Sequence, residues 1–187
     1  LGTFFLKPII DLNEMFVLNM VTSLAARETI SEFIKSPVEI KWPNDIVVNG
    51  KKIGGILIEN KLKNEKLTGV FLGIGLNINQ KNFPKFKRPA TSIIKEIGYE
   101  LNIESLVLRL NYNIQQFYSL YQLKGYETIN FLYHKELFLK GEEHPYLVGK
   151  DTRYLTLQSI SRRGDIQLFN QFGEMEEFGL KEIEFMV

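Results

Sequence analysis

The 187-residue sequence contains no cysteine, which excludes a disulfide scaffold, a thiol nucleophile and a cysteine-ligated zinc site. It has two histidines, His134 and His144, and neither has a second ligand residue at metal-binding spacing, so no histidine metal site is expected. No apolar run approaches the ~20 residues that are needed to span a bilayer, and no charged-then-apolar signal peptide is present. We therefore expect a soluble cytoplasmic protein.

An excess of charge of either sign is also missing. Lys and Arg total 23 and Asp and Glu total 22, so the net charge is +1. This balance argues against a surface built mainly to bind nucleic acid. The basic run Lys81, Lys85, Lys87 and Arg88 is interpreted as a solvated loop. The hydrophobic content of 44% is enough for the core of one domain, or of one domain with a small appended one.

Hydrophobic spacing predicts both strands and helices in the first three quarters of the chain. Asn13 is the expected N-cap of the first helix. Asn49-Gly50 predicts a type I′ hairpin turn, because both residues tolerate a positive φ. Strands are predicted at residues 3–10, 38–42, 46–48, 51–53, 55–59 and 67–76, and helices at 14–34, 103–123 and 126–139.

From Pro145 onward the pattern changes to short alternating strands separated by turns at Arg163-Gly164 and Phe172-Gly173. This spacing is typical of a small β-barrel of SH3-like size. Strands are predicted at 154–160, 165–169, 175–178 and 182–185. The predicted fold is therefore α+β: a mixed β-sheet with packed helices in residues 1–140, and an SH3-like β-barrel in residues 141–187.

One lysine and two glycine pairs are the residues that point to chemistry. Lys41 lies in an apolar strand beside Trp42, where it is either a solvent-facing residue of an edge strand or a functional cation. Gly54-Gly55 and Gly73-x-Gly75 mark either β-bulges or places where a ligand approaches the backbone. A lone lysine in such a setting serves as a point charge that meets negative charge in a transition state, or as a Schiff-base nucleophile. The residues alone leave both uses open.

Lys41-Trp42-Pro43-Asn44-Asp45, followed by Gly54-Gly55-Ile56-Leu57-Ile58-Glu59, strongly resembles the signature of biotin protein ligases. These enzymes are also called biotin–[acetyl-CoA carboxylase] ligases. The segments 73–79 and 90–93 match later motifs of that family in the same order. The resemblance covers essentially the whole chain, and it implies the class II synthetase-like biotin/lipoate ligase fold with a C-terminal SH3-like module.

The resemblance implies a two-step reaction with biotin and ATP as substrates and Mg²⁺ as the counterion of the phosphates. The biotin carboxylate attacks the α-phosphate, which gives biotinyl-5′-AMP and pyrophosphate. A lysine of a biotin carboxyl carrier protein, or of such a domain in acetyl-CoA carboxylase, then attacks the mixed anhydride. Lys41 is the implied catalytic residue, bridging carboxylate and phosphate. A homodimer is a further expectation; a membrane or nucleic-acid partner is not.

The residues that the resemblance assigns to the site fall into two groups, and none of them is assigned as a metal ligand. The expected biotin contacts are Lys41, Trp42, Gly54, Gly55, Ile56, Gly73 and Gly75. The expected nucleotide contacts are Asn44, Asp45, Lys52, Asn77, Ala90 and Thr91.

The sequence departs from the family at one feature. Biotin protein ligases carry an Arg- and Gly-rich loop of GRGRxGR type upstream of the strand that contains the tryptophan, whereas Arg27 is the only arginine before Arg88 here. We therefore expect the N-terminal part of a longer protein to be missing. Two alternatives remain open: a relative that transfers lipoate or octanoate, and a non-catalytic biotin-binding relative that lacks the phosphate loop.

Overall fold

A computed structural model describes residues 1–63, 66–84 and 89–186. The α+β class is confirmed: within these ranges the chain forms two five-stranded sheets and four α-helices. All neighbouring strands pair in the antiparallel sense. Parallel pairing among the described residues is limited to isolated bridges, such as the one between Lys52 and Ala90. Lys85, Lys87 and Arg88 of the basic run lie outside the described residues.

The first sheet has one face covered by helices and one open face. Its strands are β1 (Gly2–Leu6), β2 (Val38–Lys41), β3 (Asp45–Val48), β4 (Lys51–Lys63) and β5 (Lys66–Leu76), in the order β1-β5-β4-β3-β2. Side chains alternate between the faces. Ile56 and Ile74 are therefore buried in the core, whereas Leu57 and Phe71 are exposed on the open face.

The four helices are α1 (Val17–Ser31), α2 (Ile93–Ile97), α3 (Ile103–Lys124) and α4 (Tyr126–Lys135). The first of them, α1, packs between the sheet and helices α3 and α4. It is buried over most of its surface, so its sequence is apolar or small on nearly every side. Its buried hydroxyls are satisfied within the helix: Thr22 and Thr29 donate to the carbonyls of Leu18 and Ala25 at 2.6 and 2.7 Å.

The second sheet begins at Glu143 and consists of β6 (Glu143–Val148), β7 (Asp151–Ile160), β8 (Ile166–Phe169), β9 (Met175–Phe178) and β10 (Ile183–Phe185). Its strand order is β10-β6-β7-β8-β9. Its buried residues join those of the first sheet in one continuous hydrophobic cluster. The two sheets therefore share a core, and the second sheet is positioned directly by the first.

Several boundaries differ from the sequence prediction. Asn13 is not the N-cap of α1: Asp11 caps a short 3-10 helix, Leu12–Glu14, by accepting from the Asn13 amide at 2.8 Å, and α1 begins four residues after Asn13. The strands predicted at 51–53 and 55–59 form the single strand β4, because Gly54-Gly55 continues the ladder rather than breaking it.

The Asn49-Gly50 turn is confirmed, with φ values of 50° and 71° at the two residues. It closes the hairpin of β3 and β4 as the type I′ pattern requires. No helix within the described ranges is long and apolar enough to cross a membrane.

Candidate active site

The open face of the first sheet carries a cavity of about 550 Å³, which is within the range of small-molecule sites. We call it the glycine cavity, because glycines of β4 and β5 form its floor. It is lined by Leu1, Gly2, Thr3, Asn44, Lys52, Gly54, Gly55, Ile56, Leu57, Glu59, Gly73, Gly75, Leu76, Asn77 and Gln80.

Strand register explains why the floor is flat. Gly55 lies opposite Gly75, and Leu57 lies opposite Gly73, so three glycines share one patch of the open face. A Cβ atom at Gly73 would lie 3.3 Å from the carbonyl oxygen of Leu57, and one at Gly54 would lie 2.6 Å from Leu76 Cδ2. Both positions leave little room for a side chain, and the glycines of the open face, Gly55, Gly73 and Gly75, let a ligand approach the backbone closely.

Lys52 supplies the positive charge of the cavity. Its Nζ lies 2.5 Å from Asp45 Oδ1, and its side chain is 46% exposed, whereas that of Asp45 is 13% exposed. A Cβ atom at Gly55 would lie 3.2 Å from Lys52 Nζ and 3.6 Å from Asp45 Oδ1. The ion pair therefore lies directly over the Gly55 backbone, at the edge of the glycine floor.

The predicted nucleotide contacts gather around Lys52. The backbone of Lys52 donates to the Pro89 carbonyl at 3.0 Å and accepts from the Thr91 amide at 2.9 Å, which brings Ala90 and Thr91 beside β4. Asn77 fixes the same segment by donating from Nδ2 to the Thr91 carbonyl at 3.0 Å.

Asn44, which also lines the glycine cavity, is held by two bonds to one residue of β4. Its Nδ2 donates to the Ile56 carbonyl at 2.7 Å, and its own carbonyl accepts from the Ile56 amide at 2.9 Å. The loop between β2 and β3, which includes the cis peptide bond between Trp42 and Pro43, is thereby fixed against β4.

Lys41 and Trp42 are not brought to the glycine cavity. The Lys41 side chain is 4% exposed, and its Nζ lies 5.0 Å and 5.8 Å from the ring centroids of Phe185 and Phe138. The Trp42 indole N–H donates to the Gly164 carbonyl of the second sheet at 2.8 Å. Both side chains therefore face the junction of the two sheets, and their assignment as biotin contacts stays a prediction.

Sequence reasoning assigned Lys52 to the nucleotide and did not single it out as the cation of the site. The available signal was its position two residues before Gly54-Gly55 in the same strand. Within the described residues, no group of three or more His, Cys, Asp or Glu side chains is placed to hold a metal ion.

Three known proteins or families are similar to this chain in sequence. Residues 4–77, which include the Asp45–Lys52 pair and the glycine floor, match the Biotin/lipoate A/B protein ligase family. The chain is 31% identical over 155 residues to the bifunctional ligase/repressor BirA of Bacillus subtilis, which covers 81% of this chain and 45% of that protein. It is 46% identical over 39 residues to the biotin–[acetyl-CoA-carboxylase] ligase of Paracoccus denitrificans, which covers 21% of this chain and 16% of that protein.

The fold matches a biotin protein ligase from Aquifex aeolicus, solved in complex with biotin and ATP. The TM-score is 0.78 at 24% identity, over 97% of this chain and 75% of that one. The chain spans about half the length of the first curated relative it matches. Residues 4–77 thus match the biotin/lipoate A/B protein ligase family, and the chain as a whole is similar in sequence to the ligase/repressor BirA and shares its fold with a biotin protein ligase.

Proposed function

We propose that the protein catalyses the ATP-dependent attachment of biotin to a lysine of a biotin carboxyl carrier domain, through biotinyl-5′-AMP. The observation that carries the proposal is the glycine cavity with the Lys52–Asp45 pair over its floor. A flat bicyclic ligand with an apolar tail suits a floor without side chains, and a carboxylate suits a lysine at the edge of that floor.

Lys52 is proposed as the cation of the first step. A biotin carboxylate oxygen forms a bond to the α-phosphorus of ATP, while the bond from that phosphorus to the β-bridging oxygen breaks and pyrophosphate leaves. Negative charge builds on the phosphoryl oxygens during this exchange. A compact ammonium held in place beforehand stabilises that charge without reorganisation.

The same role for Lys41 stays a prediction, and the geometry favours Lys52 over it. Lys41 is almost fully buried beside two aromatic rings at the junction of the sheets. A group that acts on the reacting atoms must lie within hydrogen-bond reach of them. Lys52 lines the glycine cavity, in which the reacting atoms are proposed to lie, whereas Lys41 is not among the residues that line it.

Asn44, Asn77 and the 89–91 segment are proposed to bind the nucleotide, since they surround Lys52 and display backbone and amide groups. Asp45 is proposed as the protein ligand of Mg²⁺. This ion is commonly held by one or two carboxylates together with substrate phosphates. Asp45, which lies beside Lys52 at the edge of the cavity, would supply one such carboxylate. When bound, Mg²⁺ would neutralise phosphate charge.

In the second step, the neutral amine of an acceptor lysine attacks the carbonyl carbon of the mixed anhydride. An amide bond forms, the bond to the phosphate oxygen breaks, and AMP leaves with the electron pair. The name of the Paracoccus relative supports a carboxylase subunit as the acceptor. The homodimer and the cytoplasmic location remain predictions.

Isothermal titration calorimetry tests the proposal and separates it from the two alternatives. Biotin is titrated into the protein alone and with ATP and Mg²⁺, lipoate is titrated in parallel, and adenylate is assayed in the products. We expect biotin to bind, lipoate to bind much more weakly, and biotinyl-5′-AMP to accumulate. Lipoate binding without biotin binding would favour the lipoate-transferring relative. Biotin binding without adenylate would favour the non-catalytic one.

A further inference from the structure

A second cavity of about 330 Å³ adjoins the glycine cavity, and it is enclosed jointly by both sheets. Asn44, Ile56 and Leu57 line both cavities and form the boundary between them. On the far side the second cavity is lined by Arg163 and Leu180, which belong to turns of the second sheet. A protein whose lysine enters the glycine cavity past Asn44 and Leu57 would lay its neighbouring residues across this rim. We call this second cavity the rim cavity.

The rim cavity is apolar and carries large exposed side chains. Leu57 is 60% exposed and Leu180 is 63% exposed, and Met15 and Phe16, which immediately precede α1, add to the wall. Large apolar side chains that are exposed together around a concave surface commonly mark a protein interaction site. The lining would suit a phosphate chain poorly, since Arg163 is the single cation among the described residues that line it.

Arg163 forms no salt bridge or hydrogen bond with any part of the chain that the structure describes, although it is exposed at the cavity. The adjacent Arg162 is fully engaged. It pairs with Glu14 at 3.1 Å and with Glu127 at 2.8 Å, and its guanidinium lies 4.3 Å from the ring centroid of Tyr126. The two arginines of this turn therefore differ in role: one holds the turn to the helices, and the other is available to an anionic partner.

The turn that carries Arg163 is fixed on both sides. Ser161 donates from its amide to the Asp165 carbonyl at 2.8 Å, and Gly164 donates to the Ser161 carbonyl at 2.9 Å. The Gly164 carbonyl accepts from Trp42 at 2.8 Å. The backbone at Arg163 is thus ordered before any partner arrives, which lowers the entropic cost of using its side chain for binding.

We propose that the rim cavity is the docking subsite for the acceptor protein, and that Arg163 is a specificity-determining residue. An apolar side chain beside the acceptor lysine would enter the rim cavity against Leu180, and a carboxylate of the acceptor would pair with Arg163. This inference rests on the proposed function and identifies the residues by which its second step selects the acceptor.

The test uses Arg163→Gln and Leu180→Ser in the purified protein with a biotin carboxyl carrier domain as acceptor. Adenylate formation is measured first without acceptor, and then the acceptor KM is measured at several salt concentrations. Adenylate formation is expected to stay within about twofold of the unaltered protein, since neither residue lines the glycine cavity.

The acceptor KM is expected to rise about fivefold in Arg163→Gln, as for loss of one exposed charge pair. It is expected to rise about tenfold in Leu180→Ser, as for loss of a partly buried leucine. In Arg163→Gln the dependence of KM on salt should also become shallower, which loss of a purely structural residue would not produce. Lys150→Gln and Leu123→Ser, exposed residues outside both cavities, are the matched controls and should leave KM unchanged.

Unchanged acceptor KM values in both variants, with normal adenylate formation, would overturn this inference and leave the proposed function standing. A raised KM for ATP in Arg163→Gln, with no effect on the acceptor, would also overturn it. No adenylate from the unaltered protein would overturn the proposed function, and this inference with it.

Discussion

Gly55 sets the position of the charged pair in the glycine cavity. The Lys52 ammonium and the Asp45 carboxylate both lie within 4 Å of the point where a Cβ atom would stand at residue 55. Lys52 is held close to the floor because no side chain intervenes. The absence of one methyl group thus decides how near the ammonium can come to a ligand that lies on the floor.

Replacing Gly55 by Ala is predicted to reduce adenylate formation while leaving the protein folded. The new methyl group would stand 3.2 Å from Lys52 Nζ and 3.3 Å from Lys52 Cε, and that flexible side chain can move aside. The free energy of unfolding should therefore change by less than about 1 kcal/mol. The rate of biotinyl-5′-AMP formation should fall about tenfold or more, since a small misplacement of a catalytic group is costly.

Gly179→Ala is the control for this prediction, because Gly179 lies outside the glycine cavity and its added Cβ would meet neighbours at 3.4 Å or more. Equal adenylate rates in the Gly55 and Gly179 variants would show that the backbone at residue 55 does not position the ammonium.

At the residue scale, the sequence predicted Lys41 as the catalytic residue and Lys52 as a nucleotide contact, whereas the structure places Lys52, and not Lys41, at the glycine cavity. The glycine pairs of β4 and β5 were predicted to contact a ligand, and strand register places three of these glycines, Gly55, Gly73 and Gly75, on one face. The orientation of Lys41 depends on Phe138 and Phe185, which are about 100 residues or more away in the chain. Local alternation carries no information about such contacts, so it could not show that Lys41 faces the junction.

At the scale of elements, His134 connects α4 to the second sheet. Its Nε2 accepts from the Ile160 amide at 2.7 Å, so Nδ1 carries the proton and donates to the Asn130 carbonyl at 2.7 Å. Both nitrogens of the neutral ring are thereby satisfied. Burial lowers the pKa of His134 below its ordinary value of 6.5, because the charged ring would lose hydration, and the positive charge of Lys140 acts in the same direction.

The free energy of unfolding is therefore predicted to fall as the pH drops below about 6.5. The unfolded chain takes up a proton at His134 near its ordinary pKa, whereas the folded protein takes it up only at lower pH. Between these two pKa values the loss is at most about 1.4 kcal/mol per pH unit. Above the ordinary pKa the stabilisation is fully present. Urea titrations at pH 7 and pH 5.5 measure the effect.

His134→Gln offers a non-titrating acceptor for the Ile160 amide and should flatten this part of the pH profile, whereas His144→Gln should retain it. A pH profile that is unaltered in His134→Gln would assign the acid sensitivity to other groups.

Element boundaries were predictable where a local signal fixed them. Asn49-Gly50 gave the β3–β4 hairpin correctly, and α3 was predicted within one residue of its observed end at Lys124. Strand β6 was not predicted, because Pro145 and the nearby glycines resembled a boundary. Its pairing with β7 and β10 is a long-range property of the second sheet, which no local pattern reports.

At the scale of the whole molecule, Trp42 joins the two sheets. Its indole N–H donates to the buried Gly164 carbonyl, and the same turn packs Gly164 against the Phe16 ring so closely that a Cβ atom would lie 2.3 Å from Phe16 Cδ2. The loop that carries Asn44 and Asp45 is thus anchored to the second sheet. The resemblance to biotin protein ligases predicts Trp42 as a biotin contact, and no local sequence pattern could have shown a hydrogen bond that spans 122 residues.

Trp42→Phe is predicted to lower the free energy of unfolding by about 1–3 kcal/mol, the cost of leaving a buried carbonyl without a donor. Circular dichroism during urea unfolding measures this change. In the unaltered protein, tryptophan fluorescence during unfolding reports on the same junction, because Trp42 is the only tryptophan in the sequence.

Tyr154→Phe, at a position that is 61% exposed on the second sheet, is the control and should lower the free energy of unfolding by less than about 0.5 kcal/mol. A decrease in the free energy of unfolding in Trp42→Phe that is no larger than in Tyr154→Phe would mean that the hydrogen bond from Trp42 to Gly164 does not stabilise the junction.

The most direct test of the account compares the rate of biotinyl-5′-AMP formation in Lys52→Gln and Lys41→Gln, each corrected for the folded fraction. We predict that Lys52→Gln loses about 10²–10³ in rate, as when one preorganised donor to developing charge is removed. Lys41→Gln should lower stability but keep the rate of the folded protein within a few-fold. A near-normal rate in Lys52→Gln, together with a loss of that size in Lys41→Gln, would contradict the proposal that the lysine over the glycine floor meets the charge of the reaction.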